Sequence, residues 1–113
     1  MDIARMFEPL IAQAANQRAD LVVLGETITY VGLGKEPHEV AEAVPGPCTE
    51  YFGSLAKRYQ THIVVSLYER DEPLVYNVAV LLGPDGNLLG KYRKVCLPRD
   101  EIANGVTPGD DYP

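Results

Sequence analysis

VYNVAVLLGPDGNLLGKY occupies residues 75–92 and has the pattern of two strands joined by a tight turn. Residues 75–82 are an apolar, largely β-branched run that is typical of a buried strand. The next four residues, Gly83-Pro84-Asp85-Gly86, are a strong turn signal, because proline presets a turn corner and glycine accepts positive φ. Residues 87–92 then return along the first strand, so we predict a β-hairpin.

Two more strands and a helix are predicted upstream of the hairpin. Residues 21–24 (LVVL) form a continuous apolar run of the kind found in strands covered on both faces. Residues 63–68 are predicted as a second strand. Between these strands Thr49 can cap a helix. Its apolar stripe is Tyr51, Phe52, Leu55, Ala56 and Tyr59.

An amphipathic helix is predicted at the start of the chain, where apolar residues recur at helical spacing over residues 3–14. Pro9 conflicts with this pattern, because proline inside a helix costs about 3 kcal/mol. Either the helix kinks there, or it begins near Glu8 with Pro9 in its first turn. Residues 25–47 are predicted to be mostly loop, with a helical turn around residues 39–43.

The order helix, strand, helix and three strands indicates an α/β fold with a mixed sheet and both helices on one face. A length of 113 residues suits one domain, or part of one. We predict a single, partial domain over residues 1–113. The chain opens on a helix that no strand precedes, and two helices do not cover both faces of a four-stranded sheet.

Composition and charge narrow the class of protein. The chain is 46% hydrophobic and 23% charged, which is ordinary for a soluble domain. Its net charge of −6 opposes nucleic acid and anionic membranes, and the basic run Lys91, Arg93, Lys94 is short. No apolar run approaches the roughly 20 residues of a membrane span, and no secretory signal is recognisable. We therefore expect a cytoplasmic protein without nucleic-acid or membrane partners.

Several kinds of site are excluded by spacing. Residues 86–91 (GNLLGK) have too few residues between the glycines for a phosphate loop, and they lie on a hairpin. Neither Ser54 nor Ser66 lies in a GxSxG motif. His38 and His62 have no partner at ligand spacing, and no CxxC pair is present. We predict no metal and no cofactor.

Two ionisable residues are placed where chemistry can occur. Glu26 follows the strand at residues 21–24, and ligands of α/β sheets bind beyond the carboxyl ends of strands. A carboxylate there is a candidate acid or base, although a solvated loop residue has the same pattern. Lys94 follows the last strand and could stabilise an oxyanion, or it could be an ordinary surface lysine.

Several short motifs, each common by itself, are informative because of the order in which they occur along the chain. In order they are Leu21-Val22-Val23-Leu24-Gly25-Glu26, Tyr76-Asn77-Val78-Ala79-Val80-Leu81, Gly83-Pro84-Asp85-Gly86 and Gly90-Lys91-Tyr92-Arg93-Lys94-Val95-Cys96-Leu97-Pro98, followed by Glu101 and Pro108-Gly109. This set resembles the nitrilase, or carbon-nitrogen hydrolase, superfamily. That family has an apolar strand ending in a catalytic Glu, a YN strand, a DG hairpin and a YRK segment carrying the catalytic Lys. The resemblance covers nearly the whole chain.

The resemblance implies part of an αββα sandwich and a Glu–Lys–Cys site that hydrolyses the C–N bond of small amides, N-carbamoyl compounds or nitriles. Glu26 matches the base, Lys94 matches the lysine that stabilises the tetrahedral intermediate, and Glu101 matches a second acid that positions the site. A thiol near its usual pKa of about 8.5 is a weak nucleophile at neutral pH, so it needs such a base. We expect the full-length form to be a homo-oligomer.

The nucleophile is the main departure from the family pattern. The family cysteine follows a later strand that residues 1–113 do not reach, and the first strand of the fold is also missing. Cys96 points along the segment of Lys94 rather than at the Glu–Lys pair, and Cys48 follows a Pro-Gly-Pro loop. We expect neither to be the nucleophile. Gly25 stands before Glu26 where members of the family commonly have a proline.

Two interpretations follow. The chain is part of an amidohydrolase that supplies the base and the lysine without the nucleophile. Alternatively, it is a non-catalytic truncated fragment that acts, if at all, as an association partner.

Overall fold

The computed structural model describes residues 2–111 and consists of one mixed sheet with helices. Its elements are α1 (Asp2–Arg5), α2 (Glu8–Asn16), β1 (Leu21–Val23), α3 (Pro37–Val40), α4 (Pro47–Tyr59), β2 (His62–Asp71), β3 (Leu74–Leu82), β4 (Leu88–Arg93) and α5 (Arg99–Ala103). The strand order is β1-β2-β3-β4. Strand β1 is parallel to β2, and the other neighbours are antiparallel. The predicted α/β class and mixed sheet are confirmed.

The predicted hairpin is confirmed as β3 and β4. The turn closes with the Gly83 N–H donating to the Asn87 carbonyl at 3.0 Å, and Gly86 has the positive φ of 87°. Strand β4 begins at Leu88 and ends at Arg93, one residue beyond the predicted end. A register shift between Leu81 and Leu82 accommodates the turn.

Of the two alternatives for the opening helix, the structure has the one in which the helix begins at Glu8. A break at residues 6–7 separates the short α1 from α2, which begins at Glu8 with Pro9 in its first turn. Proline is tolerated there because the first amides of a helix lack intrahelical partners.

Two helix boundaries differ from the prediction. Helix α3 covers Pro37–Val40, earlier than the predicted turn at residues 39–43. Helix α4 begins at Pro47, so Thr49 lies inside the first turn rather than at the cap. Its hydroxyl still caps the helix start, because it accepts the Gly46 N–H at 2.9 Å.

Helices α2 and α4 cover one face of the sheet, as predicted. The core side chains there come from alternate positions of β2 and β3, as the strand period requires. The fully or almost fully buried residues are Ile11, Phe52, Leu55, Ala56, Ile63, Val65, Leu67, Val78, Val80 and Leu82.

The opposite face of the sheet carries Val23, Val64, Ser66, Ala79 and Tyr92, as the strand registers require. It is partly open, since Val23 is 65% exposed and Tyr92 is 41% exposed. We call it the open face. None of the helices within residues 2–111 is long and apolar enough to cross a membrane.

Helix α4 approaches the hairpin turn closely at Gly53. A Cβ atom added there would lie 2.6 Å from the Gly86 carbonyl oxygen. We expect Gly53→Ala to lower the free energy of unfolding by about 1–2 kcal/mol, because the overlap outweighs the helix propensity of alanine. Chemical denaturation measures this change. Gly90→Ala is the control, since its Cβ meets no atom within 4 Å; a more stable Gly53→Ala variant would contradict the expected overlap.

Candidate active site

The sheet topology places the carboxyl ends of β1 and β4 at the same end of the sheet. Both strands run in the same direction as β2, so their carboxyl ends lie at the same end of the sheet. Glu26 follows β1, and the chain then continues beside β2 in the same direction. The Thr27 N–H donates to Ser66 Oγ at 3.0 Å, and the Ile28 N–H donates to the Ser66 carbonyl at 3.2 Å. These two bonds hold the segment after Glu26 against β2, at the end of the sheet.

Lys94 is placed by the end of β4. Its backbone N–H donates to the Asn77 carbonyl at 2.8 Å, which continues the ladder beyond Arg93. The Arg93 side chain lies on the helix-covered face, where Nε is 2.9 Å from Glu69 Oε1 and the guanidinium lies 3.8 Å from the centre of the Tyr76 ring. Because successive side chains alternate between faces, Lys94 emerges on the open face.

Glu26, Lys94 and Glu101 meet in one cluster. Lys94 Nζ lies 2.7 Å from Glu26 Oε2 and 2.8 Å from Glu101 Oε1. The sequence predicts a separation of Glu26 and Lys94 below about 10 Å, because catalytic groups must reach one reacting atom. The expected approach is observed, and Glu101 joins it from the short helix α5. We call these three residues the charged cluster.

Glu101 is surrounded by donors. Lys94 Nζ donates to Glu101 Oε1, and the Tyr68 hydroxyl and Asn77 Nδ2 donate to Glu101 Oε2 at 3.1 and 2.9 Å. Only 11% of the Glu101 side chain is exposed. Burial and then the neighbouring Glu101 carboxylate raise the pKa of Tyr68, so its hydroxyl stays protonated as a donor. Glu101 is therefore held in place by three donors.

Glu26 has a free oxygen. Asn77 Nδ2 and Lys94 Nζ both donate to Oε2, at 2.8 and 2.7 Å. Within residues 2–111, no hydrogen bond reaches Oε1, and 58% of the side chain is exposed. The bond from Lys94 and then the bond from Asn77 lower the pKa of Glu26. At neutral pH it is an ionised carboxylate with one oxygen available for a proton.

Within residues 2–111, Lys94 retains one unused donor. The bonds to Glu101 and then to Glu26 raise its pKa, so it is a cation at neutral pH. An ammonium group has three protons, and the two carboxylates use two of them. The third can donate to an oxyanion.

Two members of the site, Asn77 and Tyr68, carry no role in the sequence prediction. Asn77 contacts both carboxylates, although the Tyr76-Asn77 pair enters the sequence argument only as part of a strand motif. The available signal is a polar residue inside an apolar strand, since a buried amide needs partners. Tyr68 has no such signal, because tyrosine is common in strands.

Among the described residues, neither cysteine is hydrogen-bonded to the charged cluster. Cys48 is buried in α4 within the core cluster, where burial and then Glu42 raise its pKa to about 12. Such a thiol is inert at neutral pH. Cys96 is exposed, and no hydrogen bond in the described part of the chain joins it to the cluster.

A groove on the open face adjoins the cluster. Its volume is about 320 Å³, and its walls include Val64, Ala79 and Tyr92. Glu26 and Lys94 line the same groove. A cavity of this size is at the lower end of the range for small-molecule sites.

Glu26 makes stability depend on pH. Its pKa is lower in the folded chain than the ordinary value of 4.5, so its stabilisation is complete above that value and is lost as pH falls through the folded pKa. We expect the difference in unfolding free energy between wild type and Glu26→Gln to be constant from about pH 6 to 8 and to shrink below about pH 4.5. Urea titrations across this range measure the difference. A difference that grows on acidification would contradict the assigned charge state.

Comparison with known proteins agrees with this fold. A sequence model of the carbon-nitrogen hydrolase family matches residues 4–109. Human omega-amidase NIT2 is 33% identical over 111 residues, covering 90% of this chain and 40% of the relative. Beta-ureidopropionase of Arabidopsis thaliana is 42% identical over 99 residues, covering 81% of the chain and 24% of the relative.

A solved structure has the same fold. The CN-hydrolase superfamily protein XC1258 of Xanthomonas campestris matches with a TM-score of 0.83 and 30% identity, over 97% of this chain and 41% of that one. The chain thus spans less than half the length of these proteins. Since the family model covers nearly all of the sequence, the chain belongs to the carbon-nitrogen hydrolase family.

Proposed function

We propose that this chain supplies the general base and the lysine of a hydrolase that cleaves the C–N bond of a small amide, N-carbamoyl compound or nitrile. One observation carries the proposal. Lys94 joins two carboxylates, of which Glu26 keeps a free oxygen beside an open groove. A base and a cation in one place are what acyl transfer to a thiol requires.

The reaction on an amide follows from these groups. Glu26 Oε1 removes the proton of a thiol, and the sulfur attacks the carbonyl carbon. The third proton of Lys94 stabilises the oxyanion. The C–N bond breaks as the protonated Glu26 donates its proton to the leaving nitrogen, which departs as ammonia or an amine. Water, deprotonated by Glu26, then attacks the thioester and releases the carboxylic acid and the thiolate.

The thiol itself is proposed to come from polypeptide outside residues 1–113. Cys48 is buried with a raised pKa, and Cys96 makes no hydrogen bond to the charged cluster within residues 2–111. We accordingly propose that the chain is one part of a hydrolase domain. The relatives named omega-amidase and beta-ureidopropionase support small amide and ureido substrates.

The second candidate is a non-catalytic fragment that associates with another chain. The exposed Val23 and Tyr92 on the open face favour it, because a monomer rarely leaves a large apolar patch in water. The same face supports the proposal that the full-length form is a homo-oligomer. A cytoplasmic location is also a proposal.

The test compares two polypeptides, residues 1–113 alone and the natural gene product at its full length. Both are incubated with simple amides, N-carbamoyl amino acids and nitriles, and the released ammonia and carboxylic acid are measured. We expect turnover by the natural gene product and none above the buffer blank by residues 1–113. The reason is that catalytic groups acting as a unit lose nearly all their joint effect without the nucleophile.

Two outcomes contradict the proposal. If the natural gene product hydrolyses no compound of the panel, the proposed activity is wrong. If residues 1–113 alone show turnover that disappears in Cys96→Ala, the nucleophile lies in this chain and the assignment of the thiol is wrong.

A further inference from the structure

Asn77 links the two carboxylates of the charged cluster. It is only 3% exposed and lies inside the apolar strand β3. Its Nδ2 atom is 2.8 Å from Glu26 Oε2 and 2.9 Å from Glu101 Oε2. A primary amide nitrogen has two protons, so one is available for each carboxylate.

The orientation of this amide is determined by a chain of donors. The Thr27 N–H donates to Ser66 Oγ at 3.0 Å, which leaves the hydroxyl proton of Ser66 to donate to Asn77 Oδ1 at 3.5 Å. A flipped amide would direct its oxygen at two carboxylates, which are acceptors when ionised. The arrangement therefore keeps Nδ2 directed at Glu26 and Glu101.

Asn77 also touches Lys94 through its backbone, since its carbonyl accepts the Lys94 N–H at 2.8 Å. We propose that Asn77 is the positioning residue of the site, whose amide holds the Glu26 and Glu101 carboxylates together against Lys94. This inference rests on the proposed function, because it takes Glu26 as the base.

A physical need for such a residue is visible in the charges. Two carboxylates share one ammonium, so the cluster has a surplus negative charge, and two close carboxylates raise the pKa of one of them. The amide protons of Asn77 offset this effect, and they are the second cause of the lowered pKa of Glu26. Without them Glu26 is the carboxylate free to move or take up a proton, because it is the more exposed of the two.

The test measures the pKa of Glu26 by carboxyl ¹³C NMR in the natural gene product. Asn77→Ala removes both amide protons, whereas Asn77→Ser keeps a small polar group whose single proton cannot serve two carboxylates. We expect the pKa of Glu26 to rise by about half a unit to one unit in each variant, because hydrogen bonds to charged groups stabilise the charged form. Asn16→Ala, at the exposed end of α2, is the control and should leave the pKa unchanged.

The result separates positioning from packing. A purely structural Asn77 would change the unfolding transition without moving the pKa of Glu26 in the folded protein. A pKa within about 0.2 units of wild type in Asn77→Ser, with the fold verified by circular dichroism, would overturn the inference. The measurement needs no turnover, so its outcome is independent of whether the natural gene product hydrolyses amides.

Discussion

Replacing Glu26 by glutamine is expected to lower kcat of the natural gene product on its amide substrate about a thousandfold, the middle of the range for loss of a general base. Glutamine has the shape of glutamate, and its oxygen can still accept the bonds from Lys94 and Asn77. It cannot take a proton from a thiol or from water at neutral pH. Steady-state release of ammonia measures the loss.

The matched control for this variant is Glu50→Gln. Glu50 is an exposed glutamate in the first turn of α4, away from the charged cluster, and its loss should leave kcat within twofold. If Glu26→Gln retains more than a tenth of the wild-type kcat, Glu26 is not the base.

Replacing Lys94 by methionine is expected to lower both kcat and stability. Methionine keeps most of the length of the side chain but leaves Glu26 and Glu101 without their shared cation. Removing one partner of a buried ion pair costs about 3–5 kcal/mol, and we expect about 2 kcal/mol here because 31% of the Lys94 side chain is exposed. Because the variant also lacks the donor to the oxyanion, we expect its kcat to be lower than that of wild type by a factor of about 10² or more.

Denaturant unfolding at pH 7 measures the stability, and ammonia release measures kcat. Lys35→Met is the control, since Lys35 is exposed and makes no ion pair within the described residues. Equal stability of Lys94→Met and wild type would mean that the lysine is not held by the carboxylates in solution.

The sheet and its covering helices are the most predictable features of this chain. The apolar run of β1, the turn at residues 83–86 and the stripe of α4 are local patterns, and each forms the predicted element. The expected burial of β1 on both faces is wrong, because Leu21 and Val23 are exposed in the structure. The boundaries that differ, at α3 and α4, depend on proline in a first turn, where it is favoured over the interior.

The charged cluster is only partly predictable for a physical reason. Glu26 and Lys94 are 68 residues apart, and the shared direction of β1 and β4 places both residues at the same end of the sheet. Their positions after strands single out Glu26 and Lys94 in the sequence, and the family resemblance assigns their roles and adds Glu101. Asn77 has only the weak signal of a polar residue inside an apolar strand, and Tyr68 has none. Their hydrogen bonds to the charged cluster are visible only when β2, β3 and α5 are placed together.

A double-mutant cycle on Glu26 and Lys94 tests most directly that these residues form one site. The free energy of unfolding is measured at pH 7 for wild type, Glu26→Gln, Lys94→Met and the double variant. Because the side chains are in contact, we predict a coupling energy of about 0.5–1 kcal/mol, at the low end of the usual range since Glu26 is 58% exposed. The same cycle with Lys35→Met should be additive. Additivity of Glu26→Gln and Lys94→Met within about 0.3 kcal/mol would contradict a shared site.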